Sequence, residues 1–121
     1  MWRIEINALP PSYNAFHAGM HWARRKAIVD EWHGLFLAAF VDANLPKPLP
    51  TPISLNVTEF CKGNVRDCDN AVVAAKLCAD SLKMHGYIPD DGPKYRNNDI
   101  LSTEHGKENR TVVIICQNRG G

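Results

Sequence analysis

A surplus of charge of either sign is the first thing this chain lacks. Its 14 Lys and Arg stand against 13 Asp and Glu, a net charge of +1. No overall basic field marks it for a polyanion, so any such contact has to come from a local patch. Cysteine spacing of the metal-binding kind is missing too. The four cysteines fall at 61, 68, 78 and 116; no C-x-x-C pair exists and no histidine pair completes a zinc-like set. Long apolar runs are absent. The longest, GLFLAAFV at 34–41, is far too short for a membrane-spanning helix. The opening MWRIEINALPPS has no apolar core of the kind a secretory signal needs. These absences lead us to expect a soluble, cytoplasmic protein with no membrane partner. Cys78 and Cys116 lie inside apolar runs and read as small core residues with reduced thiols.

What is present is ordinary globular material: 45% hydrophobic and 22% charged residues in a chain of 121, the size of one domain. WRIEINA alternates with Trp2, Ile4 and Ile6 on one face and reads as a half-buried strand. LPPSYN breaks it. A helix is expected from about Met20 to Asn44, with Ile28, Trp32, Leu35, Phe36 and Ala39 facing the core. LPKPLPTP is a stiff, extended connector. ISLNVTEF is a second strand. A second helix should run from an N-cap at Asp69 or Asn70 to His85, with Gly86 just past its end. Its face of Ala71, Ala75, Cys78, Ala79 and Leu82 should pack on the sheet. DILSTEH and TVVIICQ, separated by GKENR, look like a hairpin, and the Arg-Gly-Gly end should fray. The expected fold is α+β, a single domain over residues 1–121 in the order β-α-β-α-β-β, with a mixed sheet and two helices.

The residues that carry chemistry cluster around the second helix. RDCDN at 66–70 places two carboxylates two residues apart, and YIPDDGP at 87–93 brings another acidic pair beyond the helix. Lys76 and Asp80 follow Asp69 by seven and eleven residues, which returns both to within about 20° of its direction on a helical wheel. Asp69, Lys76 and Asp80 thus form a polar stripe on an otherwise apolar helix. Asp67 and Asp69 sit at the end where helix amides favour negative charge. Oxygen ligands of this kind select Mg²⁺ or Mn²⁺ rather than zinc. A third carboxylate from Asp90–Asp91 would complete a protein set, leaving room for water and a substrate phosphate. The chemistry that follows is phosphodiester hydrolysis by metal-activated water, with Lys76 stabilising charge on the phosphate in the transition state.

Each piece has a plainer reading. DCDN suits a helix N-cap. Lys76 and Asp80 make an i,i+4 ion pair of the sort common on solvated faces. DDGP is good turn chemistry. A calcium loop is excluded by Val72, which stands where such a loop requires glycine. None of the plainer readings accounts for all of the pieces falling along one line.

In this arrangement the chain resembles the RusA family of Holliday-junction resolvases, common on bacteriophages. The resemblance rests on PPSYN at 10–14, DCDN at 67–70, KLCADSL at 76–82, Gly86 and the acidic pair at 90–91, in that order over nearly the whole chain. It implies a RusA-like fold and a homodimeric, Mg²⁺-dependent endonuclease (Mn²⁺ substituting) that makes paired nicks in four-way junction DNA during recombination and repair. By position, Asp67, Asp69 and Asp91 correspond to the metal-binding carboxylates, with Asp90 beside them, and Lys76 to the catalytic lysine. The chain departs from the family pattern in one respect. The lysine follows the DxDN asparagine by six residues instead of three, which keeps the helix face and moves the lysine one turn further along.

DNA contact then falls to Arg24, Arg25 and Lys26 on the first helix and to Lys62 and Arg66 beside the carboxylates, with Asn14 shaping the PPSYN loop or touching substrate. A dimer would present two sites to two symmetric strands. Two other functions remain open on sequence alone: a less selective nuclease of branched DNA in phage replication or packaging, and a DNA-binding phage protein without catalysis.

Overall fold

The computed structural model describes residues 1–63 and 71–118, apart from the side chain of Asn14. Four strands form one mixed sheet in the order β1-β4-β2-β3. They are β1 (Trp2–Ile6), β2 (Ile53–Cys61), β3 (Ile100–His105) and β4 (Arg110–Gln117). Among the described residues three helices accompany them: α1 (Tyr13–His17), α2 (Trp22–Asp42) and α3 (Ala71–Met84). The element order is therefore the expected α+β one, with α1 added in the segment read as a break. Ser12 explains that addition. Its hydroxyl accepts a hydrogen bond from the Ala15 amide at 3.2 Å, an N-cap placed directly after two prolines that the helix itself does not have to contain.

The sheet carries most of its buried apolar side chains on one face, Val112 lying on the other. Ile53, Leu55, Val57, Glu59 and Cys61 of β2 are buried while the residues between them are half-buried. Ile4 pairs with Val113, which in turn pairs with Val57, so the same face continues through three strands. Onto it pack Trp32, Phe36 and Phe40 of α2 and the expected face of α3, in which Ala71, Ala75, Cys78, Ala79 and Leu82 are all buried. Leu35 is an exception to the expected α2 face. It is exposed, because the buried line runs Trp32–Phe36–Phe40 and Leu35 is turned about 100° from Phe36. Ile28 and Ala39 are half-buried at the margins.

β3 and β4 do not form a hairpin. β3 runs parallel to β2, β4 runs antiparallel to it on the other side, and β2 lies between them. The segment 106–109 crosses over the end of β2 instead. The Gly106 amide donates to the Cys61 carbonyl at 3.0 Å and the Lys62 amide to Asn109 Oδ1 at 2.8 Å. A β-carbon on Gly106 would lie 2.9 Å from Cβ of Phe60, so only glycine passes this close. β4 needs a partner on both edges because its apolar run, buried from Thr111 to Val113 and again at Ile115, is that of a central strand.

The proline-rich connector is folded onto the core rather than simply extended. Leu45 and Leu49 are buried, and the Lys47–Pro48 and Thr51–Pro52 bonds are cis. Cys78 is a free, fully buried thiol and Cys116 a free, half-buried one. The reduced thiols expected at Cys78 and Cys116 are thus both found, whereas Cys61, for which no state was expected, is disulfide-bonded. The expected fraying at 119–121 lies outside the described residues. Among the described residues no helix is long and apolar enough to cross a membrane.

Candidate functional site

α3 is an apolar helix whose charged side chains Lys76, Asp80 and Lys83 share one side, and the structure shows what that side faces. Gly86 ends the helix in the left-handed region at φ +79°, its amide donating to the Lys83 carbonyl at 3.2 Å, while the amides of Tyr87 and Ile88 both return to the Leu82 carbonyl. This is the glycine-terminated reversal expected at a helix end. Tyr87 and Ile88 are then buried, which pins the following acidic turn alongside the helix it has just left.

The turn meets the helix through two lysines. Lys76 Nζ lies 3.2 Å from Asp80 Oδ1 and 3.6 Å from Asp91 Oδ2. One ammonium therefore gathers two carboxylates from separate elements, and the Asp80 hydrogen bond, followed by the fields of Asp80 and Asp91, holds its pKa above the usual lysine value. About two turns further along, Lys83 Nζ lies 3.2 Å from Asp90 Oδ1. The same carboxylate accepts the Asp91 amide at 2.8 Å, and that backbone bond, with Lys83, lowers the Asp90 pKa. The two acids of the turn are thus distinguished. Asp91 belongs with Lys76, whereas Asp90 closes the turn and pairs with Lys83. Asp80 joins the site although its role had been left open between stripe member and surface ion pair; the i,i+4 spacing from Lys76 was the signal.

Asp67, Asp69 and Arg66 lie outside the described residues. Among the described residues no group of three His, Cys, Asp or Glu is arranged to hold a metal ion. The donors that are in place, Asp80 and Asp91, are carboxylates converging on a positive charge. Asp91 is a hard oxygen donor of the kind a divalent cation takes, and here it is engaged by Lys76.

A cavity of about 350 Å³ opens beside Lys76. Tyr13, Phe16 and His17 of α1, Val29 of α2, and Val72, Val73, Lys76, Leu77 and Asp80 of α3 line it. The PPSYN segment and the Lys76–Asp80 pair, more than sixty positions apart in the chain, therefore meet at one place. The side chain of Asn14, within that segment, is not among those described.

The expected basic residues divide by what they touch. Arg25 is a strap: its Nε donates to the Phe16 carbonyl at 3.1 Å, and its guanidinium sits 5.7 Å from the Phe16 ring centre. It holds α1 against α2. Lys26 pairs with Asp30 at 2.7 Å. Arg24 is exposed and available, and the Lys62 side chain is exposed at the end of β2. Next to the triplet, Trp22 is 70% exposed with His21 stacked on it at 5.8 Å; that exposed pair of rings was not singled out in the sequence. The chain matches no protein-family model, and no curated protein matches it.

Proposed function

We propose that this protein is a Mg²⁺-dependent endodeoxyribonuclease of the RusA type that resolves four-way DNA junctions as a homodimer in the cytoplasm of a bacterial host. The observation that carries the reading is the Lys76 ammonium held between Asp80 and Asp91 at 3.2 and 3.6 Å. It supports the reading because it joins the lysine and the downstream acid that the motif separates by fifteen residues. Asp91, together with Asp67 and Asp69, would hold Mg²⁺, whose chemistry there is to lower the pKa of a bound water and to neutralise phosphate charge.

The chain's own groups do the rest. Lys76 is oriented by Asp80 and presents a fixed positive charge to the phosphate, where it stabilises the charge that grows in the transition state. Like any lysine near its ordinary pKa it is cationic at physiological pH, and Asp80 and Asp91 favour that form further. Asp90 and Lys83 keep the turn in place so that Asp91 does not have to be ordered at the moment of reaction. Arg24, Lys62 and Arg66 are the candidates for backbone phosphate contacts.

The test is Mg²⁺-dependent cleavage of a four-way junction beside a linear duplex of the same sequence. Symmetric nicks in the junction alone are expected. Asp69→Asn, Asp91→Asn and Lys76→Met should each lower the rate by about a hundredfold or more, with junction binding retained, while Asp90→Asn should stay within a few fold. Equal cutting of both substrates would leave a less selective branched-DNA nuclease. Tight junction binding with no cutting would leave a DNA-binding protein.

A further inference from the structure

The cavity beside Lys76 has a composition that phosphodiester hydrolysis does not require. Its walls are aromatic and aliphatic, with Lys76 and Asp80 as the charged groups. Tyr13 and Val72, 48% and 44% exposed, stand where solvent reaches it. Tyr13 packs on His17 with ring centres 4.5 Å apart, and Phe16 is set edge-on to His17 at 5.1 Å, so its α1 wall is a cluster of rings. Arg25 fixes that wall through its bonds to the Phe16 carbonyl and ring. At about 350 Å³ it is at the small end of ligand pockets, roughly 300–1,000 Å³. That suits a flat ring better than a helix or a peptide strand.

We infer that this cavity receives one unstacked nucleobase of the strand whose phosphate lies at Lys76. The inference rests on the nuclease reading for the position of that phosphate. Every base has an apolar face that aromatic side chains accept. The Asp80 carboxylate, an acceptor only, suits an exocyclic amino group on the edge of the base. The neighbouring Lys76 ammonium complements the phosphate, and the pair at 3.2 Å supplies both halves of a nucleotide's polarity in one place. A strand would be pulled out of its stack here and fixed relative to the reacting phosphate, which a branch point permits more easily than an intact duplex.

Fluorescence anisotropy without divalent metal measures this directly. The probes are a short fluorescein-labelled single strand and a strand of equal length whose nucleotides are abasic, so that the charge is the same and the bases are gone. The wild-type protein is expected to bind the base-bearing strand about tenfold or more tightly. Tyr13→Ala removes a ring and Val72→Trp fills the cavity from an exposed position; each should bring that ratio close to one while leaving the abasic strand's affinity and the melting temperature unchanged. A wild-type ratio of one, or a ratio unaltered by both variants, overturns the inference. If the ratio is one while Asp91→Asn still abolishes junction cleavage, the nuclease reading stands and the base pocket fails. If the ratio behaves as expected and no substrate is cut, the pocket stands and the nuclease reading fails. If Val72→Trp splits a dimer in sedimentation of the free protein, a second copy occupies the cavity and the inference is wrong.

Discussion

At His33 folding and acidity are directly coupled. The residue lies on α2 with 8% exposure, and neither ring nitrogen has a hydrogen-bond partner among the described residues. Burial pushes its pKa below the usual histidine value; His85 adds to that, while Asp80 and Asp30 act in the opposite direction. The folded state therefore resists the proton that the unfolded chain accepts near pH 6.5. It follows that stability is full above the ordinary histidine range and declines as pH falls from about 6.5 through the lower folded value. Urea midpoints measured down that range should fall for the wild type. In His33→Leu the decline should be shallower, because an apolar side chain leaves nothing to protonate and no buried ring nitrogen unmet. A decline of equal steepness in both proteins would assign the acid sensitivity elsewhere. At this scale the sequence was an incomplete guide. Lys76, Asp91 and the α3 face could be read from spacing, whereas the separate tasks of Asp90 and Asp91 depend on where one backbone amide points, which no spacing records.

Among the elements, the crossing from β3 to β4 is where local pattern and tertiary structure part. Two strand-like runs with a short Gly-containing link between them satisfy every local criterion for a hairpin. Parallel pairing of β3 with β2 depends on α3 as the connection between them, a long-range fact. The composition did hold a hint: β3 is exposed along most of its length, as an edge strand is, and β4 is buried as a central strand is. Gly106 makes the crossing possible, and that gives it a measurable value. Gly106→Ala places its new carbon 2.9 Å from Cβ of Phe60, an atom too close to its own backbone to swing aside. A loss of about 1–3 kcal/mol is expected in chemical denaturation. Gly34→Ala is the control. It lies on the exposed side of α2 with nothing within 4 Å of the added carbon, and it should gain about 0.5–1 kcal/mol. If Gly106→Ala were as stable as the wild type, the chain would have to pass β2 at a greater distance than the structure gives.

For the whole molecule, the decisive quantity is a net charge of only +1. On the proposed reading, so little overall field would require the attraction for DNA to be concentrated in a few contacts, and the salt dependence of binding would count them: the slope of log K against log salt is about −0.9 per phosphate contact on duplex DNA. The described basic side chains predict a shallow slope, since Arg25 is tied to Phe16 and Lys26 to Asp30. Arg24 and Arg25, adjacent in sequence, should separate in this measurement. Arg24→Ala is expected to reduce the slope for junction binding by about one unit at an unchanged melting temperature, because the side chain is exposed. Arg25→Ala is expected to destabilise the fold by about 1 kcal/mol through the lost bond to the Phe16 carbonyl, with a smaller change in slope. The opposite assignment, a slope change at Arg25 and a stability change at Arg24, would mean that α1 releases its strap when DNA binds, and the aromatic wall of the cavity beside Lys76 would then have to move with it.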